Sequence, residues 1–344
     1  MTAIPYMRKQ KYGRIVNTSS SSGLFGNFGQ SNYAAAKMAV VGFTETIARE
    51  GAKYNIVANT LAPGAASRLT ATVFDQRMME IMKPDWVVPL VGVLTHKSNT
   101  RETGSIFEAS SGHFSKIRWE RSDGLLLRAD EELSPDVLLK NWAKVSDFSK
   151  VEYASSVVNG LEKLDQGSKL PKNERHYDQP ISFQGKVALV TGGGEGLGRA
   201  YAHLFARLGA KVAVNDVVNA EKVAEAINKA GGQAFAITQT VEKGDEVVKA
   251  VVDKYGRIDI VVNNAGILRD KAFHNMTDDQ WHAVINVHLR GTYKVMKAAW
   301  PFMLKQKYGR IVNITSTSGV YGSFGQANYA AAVSPCWSCV VLHH

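Results

Sequence analysis

Short apolar runs without alternation recur along the chain, separated by stretches whose apolar residues return every three or four positions. This is the pattern of parallel strands buried on both faces and of the helices that cover them. From residue 186 onward the pattern is continuous. Runs at 186–191, 211–216, 233–237, 258–263 and 310–315 predict five strands with helices in the intervals. The helix after Met276 opens with Thr277-Asp-Asp-Gln280, which can satisfy free N–H groups and places acids at the positive helix end; it is predicted to run to about Lys305, kinked by Pro301. The N-terminal part carries a shorter version: a strand at 14–18, a Ser/Gly-rich loop at 19–30, a helix from about 32 to 54, a strand at 56–61, a turn at Pro63-Gly64, a helical stretch at 71–82 and a strand near 105–109. Between 112 and 184 the alternation lapses. The polar stretch 169–180 reads as a solvated linker, with too little apolar surface to offset chain ordering.

One segment occurs twice. Lys11-Tyr-Gly-Arg-Ile-Val-Asn17 returns as Lys307-Tyr-Gly-Arg-Ile-Val-Asn313, and the likeness continues through Ser20 and Ser316 to Tyr33-Ala-Ala-Ala36 and Tyr329-Ala-Ala-Ala332. A constant offset also sets Pro5 against Pro301 and Met7 against Met303. Two homologous units are therefore expected, both α/β with doubly wound parallel sheets and both incomplete. Residues 1–111 form the C-terminal half of a first unit, 112–182 a connecting segment and linker, and 183–332 the N-terminal part of a second. Residues 333–344 match neither. Opposite Lys37, the second copy carries Val333.

Composition changes this picture little. The chain has 344 residues, 45% hydrophobic and 21% charged, with a net charge of +10. The basic residues are scattered rather than clustered, so a phosphate-rich small molecule is expected and a nucleic acid is not. No apolar run is long enough to suggest a membrane span. Cys336 and Cys339 lack the second ligand pair of a zinc site and the context of a redox motif, and no metal is expected.

Candidate chemistry lies at the strand ends. Thr191-Gly192-Gly-Gly-Glu-Gly196-Leu197-Gly198 joins a strand to a helix, where glycines permit a tight turn and close approach of backbone N–H groups to a pyrophosphate. Asp216 ends the second strand, where its carboxylate can accept from ribose hydroxyls and would repel a 2′-phosphate; this favours NAD. Asn263-Asn264-Ala265-Gly266 follows the fourth strand at the ligand-binding edge. Tyr33 and Lys37 lie one turn apart on a predicted helix, so an ammonium adjoins the phenol and favours its ionised form. Ser20, at a strand end, can polarise a substrate carbonyl.

These motifs resemble the short-chain dehydrogenase/reductase family, with a Rossmann-type sheet. Within it, the tandem order resembles dehydrogenases that oxidise (3R)-3-hydroxyacyl-CoA with NAD in peroxisomal fatty acid β-oxidation. The resemblance implies that Asn286 anchors a proton-relay water, Ser20 and Ser316 orient substrate, and Tyr33 and Tyr329 act as acid/base. It implies that Lys37 lowers the tyrosine pKa and holds the nicotinamide ribose, and that Gly192, Gly196, Leu197, Gly198, Asp216, Asn264, Ala265 and Gly266 bind the cofactor. Each unit lacks part of this set. One expectation is a dehydrogenase with low turnover. A second is a hybrid site, with Ser20, Tyr33 and Lys37 meeting the cofactor half of the second unit, or a homodimer. A third is a non-catalytic nucleotide-binding remnant or truncated product. Peroxisomal localisation follows from the resemblance, and the C-terminus carries no Ser-Lys-Leu-like signal, which would otherwise leave the chain cytoplasmic.

Overall fold

Two sheets, one for each repeat, organise the computed structural model, which describes residues 3–66, 75–155, 161–174 and 181–338. The first unit contains α1 (Ile4–Gln10), β1 (Gly13–Thr18), α2 (Ser21–Phe25), α3 (Ser31–Gly51), β2 (Ile56–Gly64), α4 (Gln76–Ile81), α5 (Val88–Thr95), β3 (Ile106–Ser110) and β4 (His113–Ile117). Its sheet has the order β1-β2-β3-β4, parallel except for the last pair. β4, which the sequence pattern assigns to the connecting segment, is thus an antiparallel edge of the first sheet. The 19–30 stretch is not all loop: Ser20 caps α2 by accepting from the Ser22 N–H at 3.2 Å.

Pro63 and Gly64 do not form the expected turn; they continue β2 opposite Ala109 and Ser110. β1 runs out opposite Leu61, so on that side the missing proline N–H interrupts no ladder. Of the helix expected at 71–82, Gln76–Ile81 is helical, and 71–74 lie outside the described residues. The connecting segment holds a two-stranded ribbon, β5 (Arg121–Ser122) with β6 (Val151–Glu152), and helices α6 (Pro135–Lys140), α7 (Trp142–Val145) and α8 (Leu161–Ser168). Residues 175–180 of the expected linker lie outside the described residues.

The second unit runs β7 (Val187–Thr191), α9 (Gly196–Arg207), β8 (Lys211–Asn215), α10 (Ala220–Lys229), β9 (Gln233–Ile237), α11 (Gly244–Tyr255), β10 (Ile260–Asn263), α12 (Asp278–Ile285), α13 (Thr292–Gln306), β11 (Arg310–Asn313), α14 (Thr317–Tyr321) and α15 (Ala327–Ser338). The strands are all parallel, in the order β11-β10-β7-β8-β9, with the first strand central as in doubly wound sheets. Successive side chains point to opposite faces, so β7 contributes Val187 and Leu189 to the core under α11 and α13, and Ala188 and Val190 to the core under α9 and α10. Both faces need apolar residues, which explains the absence of alternation in these strands. The capping box at Thr277 and Gln280 is formed. The single long helix expected after it is interrupted by a π-helical turn, Asn286–Gly291, between α12 and α13. Among the described residues no helix is long and apolar enough to cross a membrane.

The repeat is reproduced in three dimensions. Lys11 and Lys307 both terminate their helices in the left-handed conformation, and Met7 and Met303 both fold over the glycine six residues further on, Gly13 and Gly309. The units meet where α3 lies along α15. Gly42 permits this approach: a Cβ there would stand 1.9 Å from Ser334 Oγ and 2.7 Å from the Ala330 carbonyl oxygen. Phe43 packs edge-on to Phe273 and Trp281 of the second unit, with ring centroids at 5.1 and 5.8 Å. Helix α15 continues through Val333, Ser334 and Cys336, all buried, so the residues just beyond the repeat are part of this interface.

Glu45, on the same helix, is largely buried, and burial pushes its carboxyl up to about 8 against the opposing pull of Arg49 and Lys116. Its folded pKa lies above the ordinary 4.5, so its contribution to stability is complete below pH 4.5 and is lost as pH rises through about 8. Glu45→Gln should remove this decline and raise the melting temperature on the alkaline side of pH 8. Melting temperatures of parent and variant that change in parallel between pH 4.5 and 8 would refute the assignment.

Candidate active site

The cofactor half of the site is built by strand ends of the second sheet. β7 delivers Thr191, whose Oγ1 accepts from the Asn264 and Ala265 N–H groups at 3.0 and 3.1 Å, tying the loop after β10 to the glycine loop after β7. Asn264 Nδ2 donates back to the Thr191 and Gly192 carbonyls at 3.1 and 3.0 Å. The glycines are required by contact rather than flexibility alone. A Cβ on Gly198 would lie 2.0 Å from the Gly192 oxygen, and one on Gly194 would lie 2.1 Å from the Val218 oxygen. Asp216 Oδ2 accepts from the Gly194 N–H at 2.9 Å and Oδ1 from the Val218 N–H at 3.1 Å.

A cleft of about 560 Å³ opens at this edge, lined among others by Gly192, Gly196, Asp216, Asn264, Ala265 and Gly266. Leu197 is not among the lining residues and its side chain is exposed. Helix α9 starts here, and its N-cap, Glu195, makes no side-chain capping bond; the Glu195 carboxylate instead accepts from Asn219 at 2.7 Å. The first-turn N–H groups are left for an anion at the positive helix end. A Cβ at Gly196 would meet nothing within 4 Å, so this side of the loop faces open space. Volume, free amides and strand-end carboxylate together fit a dinucleotide.

The reacting half lies on β11 and α15. Ser316 caps α14 by accepting from the Ser318 N–H at 3.2 Å, repeating the geometry of Ser20. Tyr329, half-buried, stands edge-on to His288, with centroids 5.1 Å apart. His288 is held by Ile267 through Nε2 at 2.9 Å, and burial lowers its pKa below 6.5, leaving it neutral at pH 7. The sequence motifs do not single out His288; its only signal is a position two residues beyond Asn286 in the π turn. Asn286 lies at the start of that turn, its Oδ1 accepting from Arg290 at 3.1 Å. π turns are rare and cluster at functional sites.

In the first unit, Lys37 donates to the Thr18 carbonyl at 2.9 Å, and its Nζ lies 5.7 Å from the Tyr33 ring centroid. The two units share even the bond that positions this residue. Ser19 Oγ donates to the Lys37 carbonyl at 2.7 Å, and Thr315 Oγ1 donates to the Val333 carbonyl at 2.9 Å. Val333 thus occupies the Lys37 place with the same main-chain anchoring and no charge.

The hybrid site does not form. β1 pairs with β2, while the slot beside β10 is filled by β11, and Tyr33 and Lys37 are not among the residues that line the cleft. The duplicated strand decides this: Arg14-Ile-Val-Asn17 and Arg310-Ile-Val-Asn313 are identical, but β11 is tethered to β10 by the intervening helices and β1 is not. The units pair within the chain instead, helix against helix.

A doubly wound sheet with a glycine-walled cleft at its carboxyl edge and an acid ending the second strand defines a dinucleotide-binding α/β protein. The chain belongs to the short chain dehydrogenase family, whose model matches residues 1–78 and 186–333. Members of this family take NAD or NADP as cofactor. The chain is 60% identical over 340 residues to the peroxisomal hydratase-dehydrogenase-epimerase of Neurospora crassa, covering 99% of this chain and 37% of that protein. It is 48% identical over 339 residues to the protein of the same name from Saccharomyces cerevisiae, covering 96% and 38%. To the peroxisomal multifunctional enzyme type 2 of Mus musculus it is 51% identical over 164 residues, covering 44% and 22%. The chain therefore spans less than two fifths of the length of these relatives.

Proposed function

We propose that the chain is a dehydrogenase segment acting on 3-hydroxyacyl-CoA in peroxisomal fatty acid oxidation, with NAD taken up by the second unit. The observation that supports this reading is the cleft lined by the glycine loop, Asp216 and Ile267, the last of which holds His288 against Tyr329, in a chain so similar to fungal proteins named for a dehydrogenase step. When bound, the nicotinamide supplies the acceptor for the hydride that leaves the alcohol carbon. The chain supplies everything else. Ser316 Oγ, already accepting from its helix N–H, keeps its own proton to donate to the substrate oxygen. Tyr329 takes the proton of the alcohol, with Asn286 on the route by which that proton leaves. Neutral His288 buttresses the phenol ring. Position 333, which the repeat sets opposite Lys37, carries no ammonium to assist removal of the alcohol proton, so oxidation near neutral pH should be slow.

Asp216 supports NAD over NADP, because its carboxylate would face the adenosine ribose and repel a 2′-phosphate. Titration of the purified protein with NADH and NADPH, followed by cofactor fluorescence, tests the reading together with oxidation of a 3-hydroxyacyl-CoA. NADH should bind more tightly than NADPH. Asp216→Ala should weaken NADH about tenfold or more, as expected for lost hydrogen bonds to a charged group, and narrow the preference. Equal affinity of the unaltered protein for the two cofactors would sink the assignment of Asp216.

A further inference from the structure

We propose that Glu50, on helix α3 of the first unit, is a positioning residue for the site of the second: its carboxylate holds together the two loops that flank Tyr329. Glu50 Oε2 accepts from the Phe273 N–H at 2.8 Å, and Oε1 accepts from the Gly325 N–H at 3.0 Å. Phe273 ends the loop that leaves the cleft at Gly266, passes Ile267 on His288 and turns through Phe273–Asn275. Gly325 belongs to the loop Gly322-Ser-Phe-Gly-Gln326, which leads into α15 and Tyr329. The loops are also linked directly. The Lys271 N–H donates to the Gly325 carbonyl at 2.8 Å, and Asn328 Nδ2 donates to the Arg269 carbonyl at 3.0 Å. A single carboxylate from the other unit closes this arrangement.

The repeat provides an internal control. Gly26-Asn-Phe-Gly-Gln30 is nearly the same loop in the first unit, and no carboxylate reaches it in the described residues. There a Cβ on Gly29 would meet nothing within 4 Å and Phe28 is 92% exposed, against 61% for Phe324. Near-identical sequence thus takes a supported position only where α3 lies against it. Arg49 reinforces the contact by donating to the Tyr321 carbonyl, and Gly322 fits against the main chain of Glu45 and Thr46, which a Cβ would meet at 2.7 Å. Two charge-assisted bonds to main-chain donors hold geometry better than neutral ones. The NAD cleft is walled mainly by the glycine loop and the ends of β8 and β10, so the loops tied by Glu50 belong to the substrate side; this last step rests on the functional reading above.

Amide hydrogen exchange of the full chain tests the tie without relying on turnover. Glu50→Gln keeps the shape but replaces one acceptor by a donor, and Glu50→Asp keeps the charge but withdraws it by one methylene. In both, exchange at Phe273 and Gly325 should rise about tenfold while β10 amides stay as they are. NADH affinity should be unchanged, and affinity for a 3-hydroxyacyl-CoA, measured by calorimetry, should fall. Unaltered exchange at both amides in either folded variant overturns the proposal. Loop exchange that rises while acyl-CoA affinity of the variants equals that of the parent overturns the positioning role. If the parent protein itself binds no acyl-CoA, the functional reading fails, and the exchange result still decides whether Glu50 ties the loops.

Discussion

Replacing Val333 by Lys raises the rate of 3-hydroxyacyl-CoA oxidation about 10²- to 10⁴-fold, the range over which a correctly poised acid/base contributes. The first unit shows how such a lysine is accommodated. Lys37 passes closely over Gly23, where a Cβ would lie 2.7 Å from its own Cβ, and Val333 passes Gly319 in the same way, with Cγ2 at 2.9 Å. The carbonyl anchors at 37 and 333 are alike. A lysine at 333 therefore has a main-chain path already laid, and its acceptor, Thr18 in the first unit, has Ile314 as its counterpart. The environment differs in one useful respect: Val333 is 1% exposed, whereas Lys37 is only half-buried. An ammonium enclosed beside a phenol acts through a lower effective dielectric than one in open solvent and favours the phenolate more strongly. The pH–rate profile should move to lower pH together with the rise in rate. Val333→Met, which adds length without charge, should change neither. A Val333→Lys protein that binds NADH and turns over no faster than its parent would refute the role given to Tyr329.

Gly198→Val abolishes most cofactor affinity. Its Cβ would be driven to 2.0 Å from the Gly192 oxygen and 2.6 Å from Asn264 Nδ2, and neither can retreat, because Asn264 is bonded to both Thr191 and Gly192. Overpacking of this kind costs about 1–3 kcal/mol. If the loop yields rather than the helix, the same cost appears as a loss of roughly tenfold to a hundredfold in NADH affinity. Gly196→Ala is the contrast. A Cβ there meets open space, and only the positive φ of 52° is unfavourable, at about 1 kcal/mol. Fluorescence titration of both variants should rank Gly198→Val well below Gly196→Ala; equal affinities would mean that the close packing of α9 on the loop does not shape the site.

Local regularities carried much of the architecture. The five strands of the second unit, the capping box at Thr277 and the helix bearing Tyr33 and Lys37 are legible because strand burial and helix capping imprint periodicity and residue type on a few adjacent positions. The π turn at Asn286 is not legible in this way, since one extra residue in a helical turn leaves the composition of the helix unchanged. β4 escaped for a related reason. As an exposed edge strand it has no need of the continuous apolar run that marks the central strands, and its residues are largely exposed. At Pro63 the turn signal was real, but the neighbouring strand had already ended, so the strand could continue.

The amino-acid sequence is enough to show two copies of one unit, a glycine-rich dinucleotide motif in the second, and no counterpart of Lys37 at 333. All three are properties of residues near one another in the chain. Tertiary structure alone decided how the copies combine. Two identical strands competed for one place beside β10, and the shorter connection placed β11 there, leaving β1 to the first sheet. The same assembly brought α3 against α15 and set Glu50 on Phe273 and Gly325, a contact between residues more than two hundred positions apart that no local pattern encodes.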